Sequence, residues 1–180
     1  MSVVEPSILT VRDYNFLRSR LAFATGYNDT IYRQIRGKLA EAIVHFGQDF
    51  PPNVVTLDSR VDFRVDDTMS QTRTIVVDGD REIVGMTLSI ATPRGLALLG
   101  RTEGQSVVVS RRDGSKEVLR VERVAYQPEA AQRLFHAVEE MAQGQGSGSG
   151  QRQAAIIPFR ATPTATVSQH LDDDPDPPAA

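Results

Sequence analysis

The sequence predicts an α+β protein: a short N-terminal antiparallel helical hairpin, then a bent antiparallel β-sheet with one short helix. Three observations predict this class. Residues 10–46 repeat apolar side chains at helical spacing, and residues 54–126 contain alternating strand patterns separated by turn dipeptides. Residues after 143 carry Gly/Ser and Asp/Pro runs with few side chains to bury. The predicted segments are a hairpin (8–48), a sheet domain (53–131), a terminal helix (132–143) and a disordered linker with an acidic tail (144–180).

The composition excludes several functional classes. The chain has 180 residues and no cysteine, which excludes disulfides, thiolate metal sites and thiol nucleophiles. Its 20 Lys and Arg against 23 Asp and Glu disfavour a strongly basic nucleic-acid binder. No stretch approaches the roughly 18 apolar residues of a membrane span, and the N-terminus lacks the pattern of a signal peptide. We therefore expect a cytoplasmic protein that does not contact membranes.

The first helix of the hairpin is predicted to begin at Thr10. A threonine followed three residues later by Asp13 resembles a capping box, with Asp in place of the usual Glu. Apolar side chains then recur at spacings of three, three and four, which places them on one face of a helix. These side chains are Val11, Tyr14, Leu17 and Leu21. The turn signal at 25–28 predicts the end of this helix.

The second helix is predicted to begin at Asn28 or Asp29, either of which can serve as its N-cap. Gly47 and the two prolines at 51–52 predict its end. One face of this helix carries the apolar side chains Ile31, Ile35, Leu39, Ala42, Ile43 and Phe46. The short connection between the two helices predicts an antiparallel hairpin.

The segment that follows is predicted to be mostly β-structure. Strands are expected at 53–57, 59–65, 73–77, 83–90, 105–111 and 116–126. The last two form a hairpin around the turn dipeptide at Asp113. One short helix interrupts the strands, because Thr92 is a good N-cap, Pro93 suits the first helical position and Gly100 suits the end.

Three parts of this segment carry a family resemblance. They are VVTLDSRV at 54–61, LSIATPRGLALLGRTEG at 88–104 and VERVAYQPEAA at 121–131. Together, over residues 53–131, they resemble the C-terminal domain of the Gre transcription elongation factors, GreA and GreB. The third part resembles most closely the bacterial branch called regulator of nucleoside diphosphate kinase. The hairpin occupies the place of the family's N-terminal coiled coil.

The resemblance implies an FKBP-like fold for the sheet domain and RNA polymerase, at its secondary channel, as the partner. The resemblance also implies that this protein contacts the DNA or RNA of the transcription complex indirectly. In Gre cleavage factors the tip of the coiled coil carries two acids that help to hold a second Mg²⁺ at the polymerase active site. Here the tip contains Tyr27, Asn28 and Asp29, with one carboxylate.

The single carboxylate and the short hairpin favour a factor that occupies the polymerase site, or competes for it, without stimulating transcript cleavage. We also expect the factor to be a monomer. We favour a capping role for Asp29, since Asp is a preferred N-cap residue. The alternative is a Gre-like cleavage factor that uses Asp29.

Further partner contacts are expected around Arg94, for which local rules give no structural role, together with its neighbours Pro93 and Gly95. Ser59 and Arg60 are a second candidate pair, since arginine is favoured at interfaces.

The rival class is an enzyme, a peptidyl-prolyl isomerase on the same fold. Such an enzyme needs an apolar, aromatic-lined pocket, but Phe63 and Tyr126 are the only aromatic residues in 53–131. The three histidines lie in separate segments, and no nucleotide-binding loop pattern is present. We therefore expect no catalytic residue, metal or cofactor, and only an indirect effect on nucleoside diphosphate kinase levels.

Overall fold

The computed structural model describes residues 6–22, 30–47, 49–77, 83–111 and 113–144. The elements in chain order are β1 (Ile8–Thr10), α1 (Val11–Ala22), α2 (Thr30–Glu41), β2 (Ile43–His45), β3 (Arg60–Val65), β4 (Met69–Val76), β5 (Thr87–Ser89), α3 (Pro93–Leu98), β6 (Ser106–Ser110), β7 (Lys116–Tyr126) and α4 (Pro128–Gly144). The predicted α+β class is therefore confirmed, and helices α1 and α2 pack against each other as expected for the hairpin.

The main sheet has five strands in the order β5-β4-β3-β7-β6. Three of its pairings are antiparallel, but β4 and β5 run parallel, which corrects the prediction of a purely antiparallel sheet. Ten residues, 77–86, lie between the two strands in the chain, so β4 and β5 are not joined by the two-residue connection typical of an antiparallel hairpin. The pairing of β3 with β7 shifts register twice, after Arg60 and after Asp62. Such bulges increase the local twist, and the sheet is curled.

One apolar core joins the sheet, α3 and the helical hairpin. Val61, Phe63 and Val65 alternate along β3 and are buried. They belong to the same buried apolar cluster as Leu17 of α1 and Ile35 of α2. The hairpin thus shares its core with the sheet, so the two segments that differ in sequence pattern fold against each other.

The start of α1 confirms the predicted N-cap. The hydroxyl of Thr10 accepts a hydrogen bond from the backbone N–H of Asp13 at 3.0 Å. The Asp13 carboxylate does not close the predicted capping box on Thr10. It is buried and accepts instead from the backbone N–H of Leu57 at 3.2 Å.

The end of α2 differs from the prediction. The helix ends at Glu41, and Ile43–His45 form strand β2, which pairs in parallel with β1. The backbone N–H of Ile43 donates to the carbonyl of Ser7 at 2.8 Å, a bond that the helical periodicity could not reveal. The assignment of Ile43 and Phe46 to a buried helical face was wrong, because both side chains are exposed.

Smaller differences lie at the edges of the other elements. Residue 54 makes only an isolated bridge with Thr102, where a strand was predicted over 53–57. The strand predicted at 83–90 is limited to β5, because residues 84–86 form a turn. Helix α4 begins at Pro128 and not at 132, since proline fits the first helical position.

Some predictions fall outside the described residues. These are the hairpin tip with Tyr27, Asn28 and Asp29, and the tail from 145 onward. Among the residues that the structure describes, no helix is long and apolar enough to cross a membrane.

Candidate partner-binding surface

The short helix α3 presents Arg94 at a rigid position. The Thr92 hydroxyl caps the helix by accepting from the N–H of Gly95 at 3.2 Å, and Pro93 occupies the first turn. A Cβ at Gly95 would lie 2.2 Å from the carbonyl oxygen of Ser89, so the helix packs directly on the end of β5. The local signals at 92–95 thus fix the backbone from which the arginine projects.

The Arg94 guanidinium is held by Glu117 of β7. Its Nε and Nη2 atoms donate to the two carboxylate oxygens, each at 2.6 Å, which is a bidentate pair. Arg111 Nε donates to the same carboxylate at 2.7 Å. These hydrogen bonds, first of all that from Arg94, lower the pKa of Glu117 against the opposing effect of burial. The local rules gave Arg94 no structural role, and the structure supplies one.

The two arginines remain accessible although they are paired. The side chains of Arg94 and Arg111 are 38% and 40% exposed, whereas that of Glu117 is 2% exposed. Arg111 is also bound by Asp66 at 3.0 Å, whose second oxygen accepts from the N–H of Val118. We call Arg94, Arg111, Glu117 and Asp66 the arginine cluster. It holds two guanidinium groups in fixed orientation, a form suited to carboxylates, phosphates or aromatic rings.

The neighbours of Arg94 have different roles. Gly95 is buried, and Pro93 is partly buried at the helix start. Both shape the backbone, and among these three predicted positions Arg94 alone offers a charged side chain.

The two residues of the second predicted pair, Ser59 and Arg60, differ in their exposure to solvent. Ser59 is fully buried, and its hydroxyl lies 2.8 Å from that of Thr56 and accepts from the Thr56 N–H at 3.1 Å. This corrects the expectation of a direct contact, because the hydroxyl is used inside the fold. Arg60 is exposed on β3, in register with Thr74 and Tyr126 on the flanking strands.

A second polar network joins α1 to the sheet domain. Asp13 accepts from the Leu57 N–H, and Arg12 Nη2 donates to the Leu57 carbonyl at 2.8 Å. Arg12 also pairs with Glu129 at the start of α4, at 3.4 Å, and the Thr56 hydroxyl donates to Glu129 at 2.8 Å. Burial raises the pKa of Asp13 to about 6, against the opposing charge of Arg12. This network sets the position of the hairpin relative to residues 56–57.

The sequence analysis did not predict that Glu117 binds Arg94, nor that Leu57 binds Asp13. One signal was present for Glu117: it lies between Lys116 and Val118 and shares the inward register of Leu119 and Val121 on β7. An acid on the apolar face of a strand indicates that a cation pairs with it. Nothing in the local sequence indicated that Asp13 would meet Leu57, 44 positions away.

The part of the chain that the structure describes contains no group of three or more His, Asp or Glu residues placed to hold a metal ion. The hairpin tip, including Asp29, is not covered by that statement.

Comparison with known proteins supports the family resemblance. A family model described as "Transcription elongation factor, GreA/GreB, C-term" matches residues 51–126. Proteins called "Regulator of nucleoside diphosphate kinase" from Escherichia coli (strain K12) and Shigella flexneri are each 38% identical over 85 residues, which is 47% of this chain. The match spans 62% of the length of these relatives.

A solved structure is also similar. It is described as "Prokaryotic transcription elongation factor GreA/GreB from Nitrosomonas europaea", with a TM-score of 0.54 and 28% sequence identity. The similarity covers 68% of this chain and 99% of that one. The resemblance predicted from three parts of the sequence is confirmed.

Proposed function

We propose, from the premise that residues 51–126 are a GreA/GreB C-terminal domain, that this protein is a transcription regulator that binds RNA polymerase. It occupies the region of the secondary channel and does not stimulate transcript cleavage. The observation that carries the proposal is the match of this domain to the GreA/GreB C-terminal family model. It is supported by the two helices that precede the domain and by the similarity of the fold to the Nitrosomonas europaea structure over 68% of this chain. We also propose that the sheet domain has an FKBP-like fold and that the hairpin is a coiled coil.

The absence of cleavage activity is inferred from the hairpin. Helices α1 and α2 have 12 residues each, which corresponds to about 18 Å at the usual helical rise. The connecting residues 23–29 contain one acid, Asp29, where the Gre cleavage factors that the sequence resembles use two. One carboxylate supplies fewer oxygen ligands for a dication than a pair does. We therefore propose a competitor for the Gre site.

The contact residues that we propose on the sheet domain are Arg94 and Arg60. Arg94 is pre-ordered by Glu117, so a partner that binds it does not have to immobilise a free arginine. Arg60 is exposed on the central strand of the sheet. Arginine in fixed positions is typical of interface anchors.

We also propose that the protein has no enzymatic activity and that it is located in the cytoplasm. Any influence on nucleoside diphosphate kinase is indirect, through transcription. A proline-peptide isomerisation assay with the purified protein is expected to show only the uncatalysed rate, and clear catalysis would favour the rival enzyme class.

A competition experiment tests polymerase binding. The purified full chain is mixed with bacterial RNA polymerase core enzyme, and a Gre factor is added in increasing amounts. We expect binding that the Gre factor displaces. Absence of binding at both low and moderate salt would overturn the proposal.

Matched variants test the contacts. We expect Arg60→Glu to weaken polymerase binding at least about tenfold, as hot-spot arginines do. Arg120→Glu, a change of an exposed arginine on the same sheet, serves as the control. An equal loss in both variants would show a general charge effect and would argue against a specific contact.

A transcript-cleavage assay on stalled polymerase complexes tests the second half of the proposal. The protein is expected to leave the RNA length unchanged. RNA shortening that disappears in Asp29→Ala would instead establish the cleavage-factor alternative.

A further inference from the structure

Strand β6 lies at one edge of the main sheet. It pairs with β7 on one side and is the last strand in the order of the sheet. Its sequence, SVVVS, contains no charged residue and no proline, which are residue types that commonly protect an edge from pairing with another chain. Val108, at the centre of the strand, is 60% exposed. This edge is therefore a place where a further strand could pair.

The hydrogen bonds to β7 show which backbone groups of β6 face outward. The N–H of Arg111 donates to the carbonyl of Ser115 at 2.8 Å, and the N–H of Val121 donates to the carbonyl of Gln105 at 2.9 Å. Alternate residues of a strand bond to the same antiparallel neighbour, so residues 107 and 109 also bond to β7. The N–H and C=O groups of residues 106, 108 and 110 therefore point away from β7. Within the described part of the chain, none of them has a hydrogen-bond partner on that outer side.

A groove lies along this edge. A cavity of about 200 Å³ is lined by residues 107–109 of β6 and, across from them, by Gln34, Lys38 and Glu41 of α2. Leu96 of α3 also lines it. Domains that bind extended peptides by strand addition combine a free strand edge with pockets for alternate side chains of the peptide. The edge of β6 and this cavity together have that form.

The two faces of the sheet define the side chains that such a peptide would need. In antiparallel pairing, the residue opposite Val108 shares its face with Val108 and Val118, so an apolar residue fits there. The residues on either side of it face the cavity. A dry cavity of about 150 Å³ accommodates benzene, so this cavity has room for one leucine-sized side chain. Val109 is buried but Val107 is only partly buried, which places the leucine opposite Val107.

The exposed cation beside this edge is Lys116. It lies opposite Ser110 in the register of β6 with β7, and within the described residues its ammonium group has no ion pair. Because serine is small, a glutamate opposite Ser110 on an added strand can reach across it to Lys116. Arg120, at the other end of the register, is not counted, because Glu122 lies near it. The charge distribution thus fits one acidic residue, at the Ser110 end of the peptide.

We propose that the outer edge of β6 binds an extended peptide as an antiparallel sixth strand of the main sheet. From its N-terminus the peptide has an acidic residue opposite Ser110, a small residue, a β-branched apolar residue opposite Val108, a leucine and an uncharged polar residue. Residues 106, 108 and 110 each exchange two backbone hydrogen bonds with the peptide, as bonded antiparallel pairs do. This inference does not depend on the proposed polymerase binding.

Amide hydrogen exchange of the full chain tests the pairing directly. The probe is the capped pentapeptide acetyl-Glu-Ala-Val-Leu-Thr-amide. In the protein alone we expect fast exchange at Val108 and slow exchange at Val107 and Val109, which bond to β7. Saturating peptide should slow the exchange at Val108 at least about tenfold, with a Kd at or below about 1 mM. Unchanged exchange at Val108 in up to about 5 mM peptide would overturn the proposal.

Two changed peptides separate backbone pairing from charge. The first is N-methylated at its valine and cannot donate to the Val108 carbonyl, so we expect it to bind at least about tenfold more weakly. The second has lysine in place of glutamate, and we expect it to bind about two- to fivefold more weakly, because exposed ion pairs contribute little. Equal binding of the N-methylated peptide would show a contact that does not use the strand edge. Equal binding of the lysine peptide would show that Lys116 has no role, and either result would overturn the proposal.

Variants of Val108 complete the test. Val108→Pro removes the outward N–H but leaves the bonds to β7 intact, and edge strands accept proline at such positions. We expect it to weaken peptide binding at least about tenfold. Val108→Thr keeps the N–H and the β-branched shape, and as the control it should bind within about twofold of the unchanged protein. Equal binding by the two variants would contradict the pairing, and exchange in the unchanged protein decides the matter even if Val108→Pro folds poorly.

A second copy of this chain is the other occupant to be tested. The sequence SVVVS reads the same in both directions, so two β6 edges could pair antiparallel about a two-fold axis. In that case the Val108 amide would exchange slowly without peptide, and more slowly as the protein concentration rises. That result would overturn the peptide proposal.

Discussion

Helix α3 is short and largely buried, whereas helix α4 is long and largely exposed. Helix α3 has only six residues, yet Gly95, Leu96 and Leu98 are buried and its Arg94 is bound to Glu117 on β7. Helix α4 has 17 residues, but none of those from 128 to 142 is buried. Its beginning is connected to the rest of the fold by Glu129, which meets Arg12 and Thr56.

The orientation of α4 explains the difference. Its polar side chains Gln132, Arg133 and His136 line a cleft shared with Phe50. Its apolar side chains are 62% to 70% exposed; they are Leu134, Phe135, Val138 and Met141. The amphipathic pattern alone indicates a helix but not which of its faces contacts the fold. Contacts therefore make α3 part of the core and leave α4 peripheral, in spite of their lengths.

The largest effect is expected from Gly95→Ala. The new Cβ would overlap the carbonyl oxygen of Ser89, at 2.2 Å, so α3 would have to move off β5. We expect a loss of at least about 3 kcal/mol in the free energy of unfolding, measured by urea denaturation. Gly37→Ala is the control, since nothing lies within 4 Å of its Cβ position. It should stabilise α2 by up to about 1 kcal/mol. Equal stabilities of the two variants would contradict the tight packing of α3.

The next effect is expected from truncation of a core side chain on α3. Leu96→Ala should cost about 3 kcal/mol, because the side chain is 2% exposed and its removal leaves a void. Leu134→Ala on α4 is the matched change, and it should cost under about 0.5 kcal/mol. Thermal or urea unfolding of both variants measures the contrast directly. A comparable loss in Leu134→Ala would show that α4 is packed in solution.

A pH-dependent effect of similar size is expected at the junction of α1 with residues 56–57. The pKa of Asp13 is raised by burial from 3.8 to about 6, so the folded state holds its proton more tightly than the unfolded chain does. Its contribution to stability is therefore complete below about pH 4 and is lost as the pH rises through 6. The integrated loss is about 3 kcal/mol.

Asp13→Asn cannot titrate and should lack this dependence. The difference in unfolding free energy between the unchanged protein and Asp13→Asn should shift by about 3 kcal/mol between pH 4 and pH 7, in favour of the variant at the higher pH. Asp49→Asn, which changes an exposed carboxylate, is the control for general charge effects. A pH-independent difference for Asp13→Asn would rule out the buried titration.

The smallest effect on stability is expected from the exposed face of α4. The double variant Leu134→Ser and Val138→Ser should change the free energy of unfolding by less than about 1 kcal/mol, because both side chains are already largely hydrated. The same variant in the polymerase competition experiment shows whether this face contributes to a partner contact. Unchanged binding would confine the contact to the sheet domain and the hairpin.

Much of the local structure was predictable because its causes lie within a few residues. Helix α3 begins and ends where Thr92, Pro93 and Gly100 indicate, since capping, the proline ring and a positive φ of 77° at Gly100 are local effects. The N-cap at Thr10 and the strand alternation of β3 were predictable for the same reason. The family resemblance also followed from contiguous sequence.

The sequence by itself thus determined the class of fold, the order of the helices and of the five strands of the main sheet, and the caps of two helices. The tertiary structure alone decided the end of α2, because the parallel pairing of β1 with β2 joins residues 35 positions apart in chain order. It also decided the role of Arg94, whose partner Glu117 is 23 positions away. Hydrogen bonds and charge pairs over such separations depend on how the elements pack, and no local propensity encodes that packing.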